Sequence, residues 1–178
     1  VYHFQDTSLE ARVKQTQNLY DNINLKEDAS NLTVFLYLFQ EKYPNHYRRI
    51  VRTIQLVAPF FDDFVLKPSP LNEEKILLRW HELGWDEILN ANVLSDGTLR
   101  FICLVTLLLQ PEPPAIIIID EPELGLHPFA LKILAELLKS ASLQSQIIVT
   151  TQSSIFIDNF DTEDIIVVDR LDGQSTFK

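Results

Sequence analysis

The sequence predicts an α/β fold, a mainly parallel sheet with flanking helices, preceded by a small N-terminal part of helices and short strands. Two observations carry this expectation. Beyond residue 93 short apolar runs alternate with helical patterns, the order that builds a parallel sheet. Within that region the run AIIII (115–119) is too apolar to lie at a sheet edge, and suits a central strand covered on both faces. Two parts are therefore expected, 1–93 and 94–178, within one structural domain.

The elements follow in order. VYHFQDTS (1–8) reads as a short strand running into turn residues, and the polar stretch 9–30 as a surface connection without a period. Ser30 or Asn31 can cap a helix carrying Leu32, Phe35, Leu36 and Phe39, stopped at Pro44. Asn45 can cap the next, where Tyr47, Ile50, Val51, Ile54 and Val57 fall at helical spacing before Pro59. FFDDFVLKP and ILLRW read as strands on either side of the turn-rich SPLNEE. There follow an apolar helix (94–110), a strand (115–120), a helix (128–140), a strand (146–151), a short helix (153–158) and a strand (164–169).

Composition narrows the class. The chain has 178 residues, 46% hydrophobic and 22% charged, enough to bury a core in an ordinary soluble domain. A formal charge of −10 gives no support to broad adhesion to DNA or to an anionic membrane. Cys103 is the only cysteine, which excludes an internal disulfide and fits a reducing cytoplasm. No apolar run is long enough to span a bilayer. There is no methionine, so the chain is expected to be internal to a longer protein.

Three features point to chemistry at one place. In a parallel α/β sheet the carboxyl ends of the strands form the rim where ligands bind. Asp120 and Glu121 end the isoleucine strand on that rim. Magnesium-phosphate chemistry needs such a pair, one carboxylate on the metal and the next polarising the attacking water. In VLSDGTLRF, Ser95 can cap a helix whose free N–H groups attract an anion, and Gly97 lets backbone approach it. QIIVTTQS ends on the same rim in Thr150, Thr151 and Gln152; the Gln152 amide can orient a water or sense a phosphate but cannot carry a proton. Taken singly, each has a bland alternative: acids before a proline turn, a serine cap on a buried helix, a polar strand end.

Their order is more specific. LSDGTLR, then IIIIDEP, then LGLHP, then TTQS resembles the C-terminal half of an ABC-type AAA ATPase of the SMC, RecF and OLD-like group. VYHFQDTS and NLTVFLYLFQEKYP also look like this group. The resemblance implies a P-loop NTPase-like half domain that binds ATP and magnesium. Leu94, Ser95, Asp96, Gly97, Thr98 and Arg100 would form the signature motif. Asp120 would hold magnesium at the end of the Walker B strand, and Glu121 would be the catalytic base. LGLHP would be the D-loop, and Gln152 would take the switch position, where many relatives carry histidine.

One family part is not in the chain. The residues that follow Gly84, Gly97, Gly125 and Gly173 are Trp85, Thr98, Leu126 and Gln174, so no glycine-lysine pair of a phosphate-binding loop occurs. The resemblance places that loop on an N-terminal segment. It also implies a composite site, in which the signature helix closes on nucleotide held by a homodimeric or paralogous partner. The chain by itself is expected to be inactive.

Two other classes stand beside this reading. A metal-dependent nuclease would use Asp120 and Glu121 with Asp169 and Asp172, but leaves LSDGTLR unexplained. A non-catalytic scaffold lobe would be completed by another polypeptide. YRRIVR (47–52) is the one basic cluster and reads as the solvated face of a helix; His127 reads as a turn residue before Pro128, and Cys103 as a small core residue.

Overall fold

A computed structural model describes residues 1–171 and 174–178, and the architecture is α/β. The stretch expected to be a surface connection is part of the core instead. Ala11, Val13, Leu25 and Ala29 are buried there, beside a 3-10 turn at Arg12–Lys14 and the two-residue strand β1 (Gln17–Asn18). Its polar residues mislead because several are buried as partners for backbone. Gln17 Oε1 accepts from the N–H of Thr33 at 2.9 Å, and so serves the free end of a helix 16 residues away. Asn31 is fully buried: Oδ1 accepts from Lys26 N at 2.9 Å, and Nδ2 donates to the carbonyls of Asp21 (2.9 Å) and Asn24 (2.8 Å).

Helix α1 (Leu32–Lys42) buries Leu32, Phe35, Leu36 and Phe39, as their spacing predicts. Neither Ser30 nor Asn31 caps it through its side chain, since Gln17 does that work. Helix α2 (Pro44–Val57) buries Tyr47, Ile50, Val51 and Ile54. Its cap position is Tyr43 rather than Asn45, and Pro44 fills the first turn, where its missing N–H leaves no bond unmade. Strands β2 (Phe61–Phe64), β3 (Lys75–Ile76), β4 (Arg79–Glu82) and β5 (Ile88–Asn90) follow. They pair antiparallel, β1 with β3 and β2-β4-β5 as one small sheet.

Helix α3 (Asp96–Leu108) is the centre of the molecule. Every residue from Leu99 to Leu108 is buried, the pattern of a helix apolar on all sides and enclosed by others. Thr106 bonds back to the carbonyl of Ile102 at 2.8 Å, so its hydroxyl is satisfied. Burial pushes the Cys103 thiol up to about 12. The buried core runs without interruption from Phe4 to Phe156.

Strand β6 (Ile116–Asp120), helix α4 (Pro128–Ala141), strand β7 (Gln146–Thr150) and helix α5 (Ser154–Ile157) complete the second part. His127 precedes α4 as a turn residue, its Nδ1 accepting from Phe129 N at 3.4 Å. β6 pairs in parallel with β7, and on its other side Tyr2 forms a parallel bridge to Ile119. β6 is thus central, but it is not covered on both faces. Ile117 and Ile119 are buried, while Ile116 is 56% exposed and, on β7, Ile148, the partner of Ile118, is 46% exposed. Four consecutive isoleucines record hydrophobicity, not which face another element covers. The strand expected at 164–169 also differs: Thr162–Asp164 is a 3-10 turn, and β8 (Val168–Leu171) pairs antiparallel with β9 (Gln174–Phe177) in a hairpin. No helix among the described residues is long and apolar enough to cross a membrane.

Two outcomes follow. Asn31→Ala removes three bonds to loop backbone and should cost about 3 kcal/mol, lowering the thermal midpoint by roughly 10 °C. An unchanged midpoint in a calorimetric scan would contradict this account of the 9–30 stretch. The Cys103 thiol should resist alkylation by iodoacetamide at pH 8 in the native protein and react once guanidinium unfolds it.

Candidate functional site

The parallel register brings Asp120 beside Thr150 at the carboxyl ends of β6 and β7. The Thr150 hydroxyl donates to Asp120 Oδ1. Gln5 Nε2 reaches Asp120 Oδ2 at 3.3 Å, and His3 Nδ1 lies 3.8 Å from the same oxygen. The N-terminal strand delivers both, since its bridge at Tyr2 aligns it alongside β6. Gln5 and His3 are absent from the residues that sequence reasoning singled out. Pairing VYHFQ with the isoleucine strand was the one signal that could have found them.

Glu121 leaves the strand line at a sharp turn, with φ of +43°. Its N–H still bonds to Thr150 O at 2.9 Å, while its carboxylate meets Gln152: Nε2 donates to Oε1 at 3.1 Å. Thr151 donates to Glu123 Oε1 in the same way. Three successive residues, Thr150 at the end of β7 and Thr151 and Gln152 after it, therefore each hold an acid of the 120–123 segment, because the two strands end at the same height.

The 95–98 turn reaches this segment through glycine. Ser95 Oγ accepts from Thr98 N at 3.1 Å and caps α3. Gly97 packs on the backbone of Gly125 so tightly that a Cβ there would drive into the Gly125 carbonyl oxygen. Gly125 itself holds φ of +74°, and a Cβ on it would press on the Arg100 guanidinium. Arg100 anchors the junction. Its Nε donates to Phe4 O at 2.9 Å, one Nη to Gln5 O at 3.1 Å, and the other to Leu124 O. Burial lowers its pKa, opposed by the nearby Asp96 and Cys103.

The residues expected to form the signature motif lie in different surroundings. Arg100 is 8% exposed, with its guanidinium bonded to carbonyls of its own chain. The Leu94 side chain is in the core. Ser95 and Asp96 are exposed, and Gly97 and Thr98 half-buried. The structure brings Asp120, Glu121 and Gln152 together. It joins the 95–98 turn to their loop at Gly125, without a direct bond to the carboxylates.

Among the described residues, the acids that a nuclease would use are not gathered into one cluster. Asp169 lies on the β8–β9 hairpin bonded to Lys178 Nζ at 2.9 Å, and Asp172 lies outside the described residues. Among the described residues no three His, Cys, Asp or Glu side chains are grouped to hold a metal ion.

The fold has counterparts among known proteins. A family model described as "AAA domain, putative AbiEii toxin, Type IV TA system" matches residues 5–158. No curated protein matches the chain. Among solved structures, an Smc head bound to the C-winged helix domain of ScpA is similar, with TM-score 0.65 and 21% identity, over 98% of this chain and 51% of that one. A structure from work on ATP-driven dimerization and DNA-stimulated activation of SMC ATPases gives TM-score 0.60 and 20% identity, over 80% and 88%. A third, the Smc head with an extended coiled coil bound to the C-terminal domain of ScpA, derived from Pyrococcus furiosus, gives 0.62 and 19%, over 85% and 41%. The chain therefore has the fold of an SMC head and spans about half or less of two of these three relatives.

Gly97→Ala tests the glycine junction. The added methyl must push the 121–126 loop away, so the variant should lose about 1–3 kcal/mol of stability in denaturant unfolding. Wild-type stability would mean that the turn and the loop are not in contact.

Proposed function

The chain belongs to the AAA-domain family whose model spans residues 5–158, and from that premise we propose that it is the signature and Walker B lobe of an ABC/SMC-like ATPase. The observation that supports this most is the pairing of both rim carboxylates with residues of the neighbouring strand end, Thr150 with Asp120 and Gln152 with Glu121.

Asp120 would hold the magnesium ion that accompanies ATP. The donor set fits: magnesium in phosphate sites is held by one or two carboxylates and takes its remaining ligands from water and phosphate. Asp120 is a half-exposed carboxylate open to the rim. The ion supplies charge neutralisation on the phosphate oxygens. Glu121 accepts a proton from the attacking water. Gln152 donates to Oε1, which orients the carboxylate and leaves Oε2 as the accepting atom. Ser95, Gly97 and Thr98 form the first turn of α3, where the helix dipole favours phosphate. They would serve nucleotide held by a partner, homodimeric or paralogous, with Ser95 exposed at the end of the helix.

The phosphate cradle would come from a further segment, since no glycine-lysine pair occurs here. The open face of β6 and β7 supports such a segment: Ile116 and Ile148 are exposed apolar side chains on a strand pair in need of a cover. The same face favours the scaffold reading, in which a covering polypeptide binds but no turnover occurs. A cytoplasmic location belongs to both readings.

Turnover separates them. The chain alone should hydrolyse no ATP above background in magnesium buffer. In the protein completed with its phosphate-binding segment, Glu121→Gln should lower kcat by about 100-fold or more while leaving KM nearly unchanged, and Gln152→Ala by roughly 10-fold. ATP hydrolysis by the chain alone, lost in Glu121→Gln, would sink the inactivity of the isolated lobe. Equal kcat in wild type and Glu121→Gln would leave the scaffold reading in its place.

A further inference from the structure

Glu123 is an acid of the rim to which the proposed chemistry gives no duty. It is half-buried in the loop after β6, and its Oε1 accepts from the Thr151 hydroxyl. Its Oε2 is buried and has no hydrogen-bond partner among the described residues. A carboxylate oxygen sealed from water without a donor costs free energy, so an apolar side chain at 123 would serve the fold better. The use of an acid there lies in what Oε1 holds.

Thr151 is engaged twice. Its hydroxyl donates to Glu123 and accepts from the Ser153 N–H at 3.0 Å, and its single hydrogen goes to the acid. The Thr151 side chain thus ties down backbone on both sides of Gln152. Ser153 is fixed from its other side as well, because its Oγ accepts from Phe156 N at 3.3 Å and caps α5. Gln152 itself is exposed, and its amide is directed by the bond to Glu121 at 3.1 Å. A long exposed side chain gives up rotamer freedom to hold such a bond, and holds it more fully from a fixed backbone. Glu121 and Glu123 also keep one relation to each other, since the ring of the buried Pro122 between them locks its φ. We propose that Glu123 is a positioning residue for Gln152, acting through Thr151, a role that rests on the ATPase reading of the rim. Glu123 exchanges no proton with substrate; it sets the backbone from which Gln152 orients the Glu121 carboxylate. A carboxylate is the stronger acceptor for the Thr151 hydroxyl, but an amide carbonyl in its place still accepts.

Two measurements test this role. In the chain itself the side-chain Nε2 protons of Gln152 are followed by heteronuclear NMR, assigned by their loss in Gln152→Ala. The bond to Glu121 should separate the shifts of the two protons. Glu123→Ala should bring them together, as Glu121→Ala does, and Glu123→Gln should keep them apart. In the protein completed with its phosphate-binding segment, Glu123→Ala should lower kcat by about 5- to 10-fold with KM within about twofold, and Glu123→Gln by no more than about threefold. Glu123→Ala combined with Gln152→Ala should be no slower than Gln152→Ala alone, whereas independent roles would multiply to roughly 50- to 100-fold. Thr151→Val cuts the same bond from its other end and should match Glu123→Ala, with Thr151→Ser restoring wild-type behaviour. That pair carries the test if Glu123→Ala does not fold by circular dichroism. The role is overturned if Glu123→Ala, or Thr151→Val in its place, leaves the Gln152 protons as in wild type. It is also overturned if Glu123→Gln loses as much as Glu123→Ala, or if the double variant shows the product of the two losses. A completed protein without turnover, or one in which Glu121→Gln matches wild type, removes the ATPase reading alone, and the NMR measurement then decides whether Glu123 sets Gln152.

Discussion

One buried guanidinium holds the functional end of this molecule together. Arg100 issues from near the N-terminal end of the core helix and reaches backbone carbonyls of two separate segments, the N-terminal stretch at Phe4 and Gln5 and the post-β6 loop at Leu124. A buried cation is tolerated only when its donors are matched, and here its partners are carbonyl dipoles supplied by chain that would otherwise be loose. The result is that Gln5 is held beside Asp120, and Gly125 is held against Gly97. Removal of that side chain would leave several orphaned groups in one place. The distance from the 95–98 turn to the carboxylates is therefore set by packing through Arg100, not by the two segments themselves.

The fold was largely legible where burial follows a period. The α1, α2 and α3 helices and the β6 and β7 strands fall close to where apolar spacing placed them, since hydrophobic burial imprints its repeat on local sequence. Residues 9–30 were not legible, because what ties them down are Gln17 and Asn31, polar side chains that serve backbone far away. Such a residue leaves no repeat. The same limit hid Gln5 and His3, and turned Arg100 from an outward group into an inward one. The β8–β9 hairpin was missed for another reason: an apolar tetrad does not say whether its partner strand comes from before or after it.

In the rim itself, sequence placed the acids and the structure places their neighbours. Asp120 and Glu121 are adjacent in the chain yet answer to different partners, because a strand directs successive side chains to opposite sides and the turn at Glu121 redirects the second. That separation suits unlike duties, one carboxylate turned toward a cation and the other toward a proton. Two residues side by side on a regular strand could not be divided so cleanly.

The turn has a thermodynamic meaning of its own. A side-chain-bearing residue in the left-handed region costs about 1–2 kcal/mol, and glycine would relieve it. Ala29 shares this backbone conformation, but it is sealed in the core, where burial can hold it. Glu121 is half-exposed and has no such enclosure. For folding alone the best residue at 121 is the one with no side chain, and for proton transfer it is an acid. Under the proposed function, the local instability at that position is one that chemistry, rather than architecture, requires.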